Sequence, residues 1–157
     1  MKTIMKSLLL ATLLAVTGLA VAAGADPVVG TWKLNVAKSK MSADQTFKSQ
    51  TRVYSQSADG ITLSITSVGA DGKDSMSKTT YKLDGKDYPV SGVAAYDALA
   101  GKQVDANTAE FTLKKGGKAV GTTKRTVSAD GKTLTGVASG TDAKGAMSTS
   151  TMVFDKQ

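Results

Sequence analysis

The sequence contains no cysteine and no histidine, a single glutamate (Glu110), two prolines and eight aromatic residues among 157. Without cysteine there are no disulfide staples, so stability must come from burial and strand pairing. The same absence excludes a leader of the lipoprotein type, which needs a cysteine to modify. Without histidine or cysteine, Ser-His-Asp and Cys-His catalysis and the usual zinc sites are excluded. No pair of the remaining titratable residues has the spacing of a known catalytic motif, so the chain is expected not to be an enzyme, and no catalytic residue, metal or cofactor is assigned. Long apolar runs are also lacking, apart from one at the amino terminus.

That run defines a leader. Lys2 and Lys6 precede an uncharged stretch from Ser7 to Val21 rich in Leu, Ala and Val, and small residues at Ala23 and Ala25 satisfy the A-x-A rule. The pattern predicts a signal peptide over residues 1–25, cut before Asp26, with a cut after Ala23 as the other option. The apolar core is shorter than the roughly 20 residues a membrane span requires, so no membrane span is expected. The protein is expected to be exported, periplasmic or extracellular, with residues 26–157 forming a single domain.

The full chain carries 20 Lys plus Arg against 13 Asp plus Glu, and loss of the two leader lysines leaves the rest about five charges positive. Such a balance suits anionic envelope polymers or lipid headgroups. The lysines are scattered, only Lys114 and Lys115 being adjacent, and they do not alternate with aromatic residues as a nucleic-acid platform requires. Nucleic acid is therefore not an expected partner; a solvated outer surface explains the pattern.

What the sequence does have is a recurring turn: Asp59-Gly60, Asp71-Gly72, Asp84-Gly85, Gly116-Gly117, Asp130-Gly131 and, more loosely, Thr141-Asp142-Ala143-Lys144-Gly145. Such pairs favour the left-handed conformations of tight hairpins, and Asp105-Ala106-Asn107-Thr108 fills the one long gap. Thr, Val, Ile, Ser and Tyr alternate between the turns, as in half-buried strands. Strands are predicted near 29–36, 47–57, 60–69, 74–83, 86–91, 101–105, 108–115, 118–128, 132–140 and 145–155. The result is an all-β, antiparallel up-and-down meander of eight to ten strands, and closing it into a barrel removes its exposed edges. Residues 37–46 are left as a polar loop with at most one helical turn. Residues 92–100 are left as a short helix or a flap over one barrel end, where Tyr96 and Leu99 are candidates to cover the mouth.

Gly30-Thr31-Trp32-Lys33-Leu34 resembles the opening of the first strand in lipocalins and fatty-acid-binding proteins, in which a Gly-x-Trp tryptophan plugs one end of the barrel. The longer run GTWKLNVAKSK, with SADGKT near the carboxyl terminus, resembles a group of small exported bacterial lipocalin-like (calycin-type) proteins. The resemblance implies a lipocalin-like barrel with Trp32 as its structural plug. Residues 37–46 have no room for the two helices of a fatty-acid-binding protein, and the Thr-Asp-Tyr element of lipocalins finds only Thr141-Asp142-Ala143.

Site candidates come from strand parity. Lys124 and Arg125 are adjacent inside one predicted strand, so one of them points inward. Arg125 lies on the smaller, less polar face with Ala119, Gly121, Thr123 and Val127. A buried arginine requires either an acid beside it or an anionic ligand. Thr79, Tyr81 and Leu83 share an inward face, and Phe47, Ser49, Thr51, Val53 and Ser55 are read as another. The leading expectation is a small-molecule-binding protein, for a fatty acid or another amphiphilic anion, lined by Arg125, Thr123, Tyr81 and Tyr96. The alternative is a structural or interaction protein of the cell envelope with an anionic envelope component as partner; an enzyme without a recognisable motif comes third.

Overall fold

Alternating Thr/Val-rich segments broken by glycine turns have no way to bury their apolar faces except against one another. In the computed structural model, which describes residues 24–141 and 145–157, they do so by closing on themselves. Ten antiparallel strands form one ring: β1 (Gly30–Leu34), β2 (Phe47–Ser57), β3 (Gly60–Gly69), β4 (Asp74–Tyr81), β5 (Asp84–Ser91), β6 (Ala98–Asp105), β7 (Thr108–Lys115), β8 (Lys118–Val127), β9 (Thr133–Thr141) and β10 (Met147–Lys156). Each strand pairs with its neighbours in sequence, and β1 pairs with β10 to close the barrel. The leader, apart from Gly24 and Ala25, and the Asp142-Ala143-Lys144 part of the last turn lie outside the described residues.

Residues 26–29 and the β2–β3, β4–β5, β6–β7 and β8–β9 connections lie at one end, here the lower. The upper end holds residues 35–46 and the β3–β4, β5–β6 and β7–β8 connections. Residues 35–46 contain two single-turn 3-10 helices, Val36–Lys38 and Ala43–Gln45, slightly more helix than the sequence predicts. Among the described residues no helix is long and apolar enough to cross a membrane.

The hairpins use two devices. At Gly116-Gly117 both residues have positive φ, +56° and +79°, which is what a two-residue hairpin matching the strand twist requires. The aspartates work differently from the expectation, because no described residue other than glycine has a positive φ. Instead their carboxylates accept hydrogen bonds from the backbone N–H two residues on: Asp71 from Lys73, Asp84 from Lys86, Asp105 from Asn107 and Asp130 from Lys132. Asp84-Gly85 is the midpoint of the β4–β5 register, but the ladder stops at Thr79–Val90, so the connection is wider than a tight hairpin. The same pair also opens β5, where the register against β6 shifts between Asp84 and Asp87.

The core is formed by inward residues of almost every strand, among them Trp32, Ile61, Tyr81, Phe111, Leu134 and Phe154. Two seams matter for the interior. The β2–β3 register shifts between Phe47 and Ser49, and such an insertion moves every later side chain to the opposite face. The faces expected inward on this strand are therefore reversed: Ser49 and Ser55 are exposed and Val53 is 43% exposed, while Gln50, Arg52 and Tyr54 point in. At the other seam, β4 and β5 are joined by only two register pairs, Lys78–Ser91 and Thr79–Val90.

Candidate functional site

Strand β8 runs from upper to lower end, and its period sends Arg125 inward and Lys124 outward. Arg125 is 3% exposed, whereas the Lys124 side chain is 53% exposed and lies 3.8 Å from Glu110 on the outer surface. Of the two fates open to a buried arginine, the described residues show the first. One guanidinium nitrogen lies 3.1 Å from the Asp26 carboxylate, whose side chain is only 12% exposed. The other donates to the Tyr81 hydroxyl at 2.9 Å. The guanidinium also sits near the rings of Phe111 and Tyr54, at 5.6 and 5.8 Å. Burial raises the Tyr81 hydroxyl far above its ordinary value, with the nearby Arg125 charge only partly opposing this. Tyr81 therefore stays protonated, an acceptor for Arg125 with a proton to donate and no role as a base.

Asp26 organises the lower end. It opens a turn, Asp26-Pro27-Val28-Val29, in which Val29 N–H donates to the Asp26 carbonyl at 2.9 Å, with proline at the position its fixed φ favours. The carboxylate also accepts from Val28 N–H. Val28 is fully buried, and its carbonyl accepts from Trp32 Nε1 at 2.7 Å. Trp32 is likewise fully buried at this end, with the Lys156 ammonium 5.1 Å from its ring. The tryptophan is thus at the lower end, covered by a turn from the residues that precede β1.

Above this floor the barrel encloses a cavity of about 450 Å³ that reaches the upper end. Tyr81, Tyr96, Thr123 and Arg125 all lie on its wall, so the four ligand candidates read from the sequence share one cavity. Leu99 also lines it, but from within β6 rather than from a flap. Ala98, Leu99 and Ala100 already belong to that strand, and only residues 92–97 form the non-helical loop at the mouth. Burial at this mouth raises the Tyr96 hydroxyl above its ordinary value, against the opposing pull of Arg52.

Arg52 is the residue that sequence reasoning misses. The chain has only two arginines, against eighteen lysines, and both face the barrel interior. Arg52 Nε donates to Gln50 Oε1 at 2.8 Å, and its guanidinium lies 4.3 Å from the Phe154 ring. Gln50 in turn donates to Ser67 Oγ at 2.9 Å. Among the described residues no carboxylate pairs with Arg52, and no acidic residue lines the cavity. With Arg125 neutralised by Asp26, Arg52 is the uncompensated charge of the interior among the described residues. The signal in the sequence was arginine itself, scarce and therefore placed where a planar, always-charged fork is needed. Among the described residues no cluster of acidic side chains could hold a metal ion.

No family model matches this chain, and no curated protein matches it. Among solved structures it is similar to one titled "The Siderocalin Ex-FABP functions through dual ligand specificities". The TM-score is 0.39 and the identity 13%, over 83% of this chain and 74% of that one.

Proposed function

We propose that this is an exported, lipocalin-like binding protein whose barrel holds a small amphiphilic molecule carrying one negative charge. The observation that carries the reading is Arg52, a cation on the wall of a cavity that no acid lines among the described residues. A singly charged carboxylate or similar head balances it, and the guanidinium fork suits such a group. The rest of the wall is largely apolar, with Phe47, Leu63, Ile65, Leu113 and Met152 offering contact to a hydrocarbon body. A cavity of 450 Å³ is in the range of small-molecule sites. Binding is favoured over catalysis because among the described residues the cavity lining holds no carboxylate or imidazole base, and burial raises the Tyr81 hydroxyl, which disfavours it as a base. Strand parity points to Arg125 as the anchor, but Asp26 and Tyr81 already engage that guanidinium, which leaves Arg52 for the ligand.

The test is competition against a fluorescent apolar probe, using a medium-chain fatty acid and the alcohol of equal length. The acid should displace the probe about 10- to 100-fold better, as expected for a charge-assisted hydrogen bond, and Arg52→Leu should abolish that preference. Equal displacement by acid and alcohol would overturn the charge reading. Absence of any bound small molecule, both here and by native mass spectrometry of protein from its own host, would favour an envelope interaction protein instead.

A further inference from the structure

The lower end is built around the residue that the leader pattern places first in the processed chain. Gly24 and Ala25 are exposed, and among the described residues no hydrogen bond holds either of them. From Asp26 onward this changes at once. The Asp26 carboxylate reaches Arg125, its carbonyl closes the turn on Val29, and its backbone nitrogen donates to Gln56 Oε1 at 2.9 Å. Gln56 lies on β2, beside the hairpin of the lower end. The boundary of packing and the A-x-A boundary in the sequence therefore coincide, although nothing in the second depends on the first.

We infer that the chain is cut at the Ala25–Asp26 bond and that the new α-ammonium is a working part of the fold, held by Gln56 beside the Asp26–Arg125–Tyr81 network. This rests on the leader reading and is independent of the ligand. Hydrolysis of the peptide bond leaves the carboxylate on Ala25 with the departing leader. The amine stays on Asp26, at the position where its nitrogen already meets an acceptor. A cut after Ala23 would leave two untethered residues and put the charged terminus away from Gln56. In the processed chain, one residue then supplies both an anion for the buried arginine and a cation for the glutamine at the rim.

Two measurements test this. Sequencing the amino terminus of protein exported by cells expressing the full chain should read Asp-Pro-Val-Val; a start at Gly24 overturns the processing step. Thermal unfolding is then compared for chains beginning at Asp26 and at Gly24, each with Gln56 and with Gln56→Glu. In the chain beginning at Asp26 the new carboxylate meets an ammonium, and the midpoint should rise by about 1–3 °C, the scale of a solvent-facing ion pair. In the chain beginning at Gly24 it meets an uncharged amide N–H near the Asp26 carboxylate, and the midpoint should rise less or not at all. Equal shifts in the two chains would overturn the role given to the terminus, whatever the sequencing shows. Because Gln56 is exposed and Gln→Glu keeps its shape, misfolding does not obscure the comparison.

Discussion

Asp26 and Arg125 are each unremarkable in composition but strongly interdependent in place. Removing the acid alone leaves a guanidinium buried without compensation, so Asp26→Ala should destabilise the barrel by about 3–5 kcal/mol. Replacing the pair by Asp26→Ala with Arg125→Met should recover a large part of that loss, because the charge is removed with its partner. Urea unfolding of the two variants checks this, and a double variant no better than the single one would mean that the pair is not the unit of stability. The outer pair Lys124–Glu110, at 3.8 Å with both side chains more than half exposed, gives the contrast. Its disruption should change stability by less than about 1 kcal/mol. That one of Lys124 and Arg125 faces inward is legible from strand parity, and the smaller, less polar face makes Arg125 the candidate, but parity alone does not choose between them. That the compensating acid comes from Asp26, ninety-nine residues away in the chain, is not legible, because proximity around a closed ring leaves no trace in local pattern.

Strands and turns were the most legible level, and their failures have physical reasons. All ten strands fall near the positions that alternation and Gly-containing turns indicate, since both signals are local. Strand β6 starts three residues earlier than expected because Ala98-Leu99-Ala100 carries no β-branched residue, and only its pairing with β5 and β7 extends it. Strand β2 was placed correctly but read with the wrong face inward, because a bulge at Phe47–Ser49 inverts parity without altering composition. This one irregularity hid Arg52 and with it the unpaired cation of the cavity. The joint between β4 and β5 is the weakest in ladder pairs, and Gly92 follows it. Gly92 has φ +79°, and a Cβ added there would lie 2.0 Å from the Met76 carbonyl oxygen on β4. Gly92→Ala should therefore cost at least about 1–3 kcal/mol and speed amide exchange along β4–β5 relative to β2–β3. Gly117→Ala, strained in φ but with open space around the new methyl, should cost less. An equal loss in the two variants would show that backbone conformation alone, and not the approach of Gly92 to β4, governs this joint.

Over the whole molecule, pH dependence should be simple. With no histidine, no side chain has an ordinary titration range between pH 5 and 8. Five aspartates are held below the usual carboxylate range: Asp71, Asp84 and Asp105 chiefly by backbone N–H donors, Asp130 chiefly by the Ser128 hydroxyl, and Asp155 of β10 chiefly by Asn35. A carboxylate whose folded value is depressed stabilises the fold above its unfolded value, about 3.9 for aspartate, and that contribution is lost as pH falls through the folded value. The unfolding midpoint should accordingly be flat from about pH 7 to 5, above which an amino-terminal ammonium begins to titrate, and decline below about pH 4. A step near pH 6.5 would contradict this. The pairing of β1 with β10 has one more consequence. Gln157 N–H donates to the Thr31 carbonyl at 3.0 Å, so the seam that closes the ring is bonded down to the lower end, across the barrel from the cavity mouth. A nick in the exposed Gly116-Gly117 turn should therefore leave two fragments still held together by every ladder of the ring.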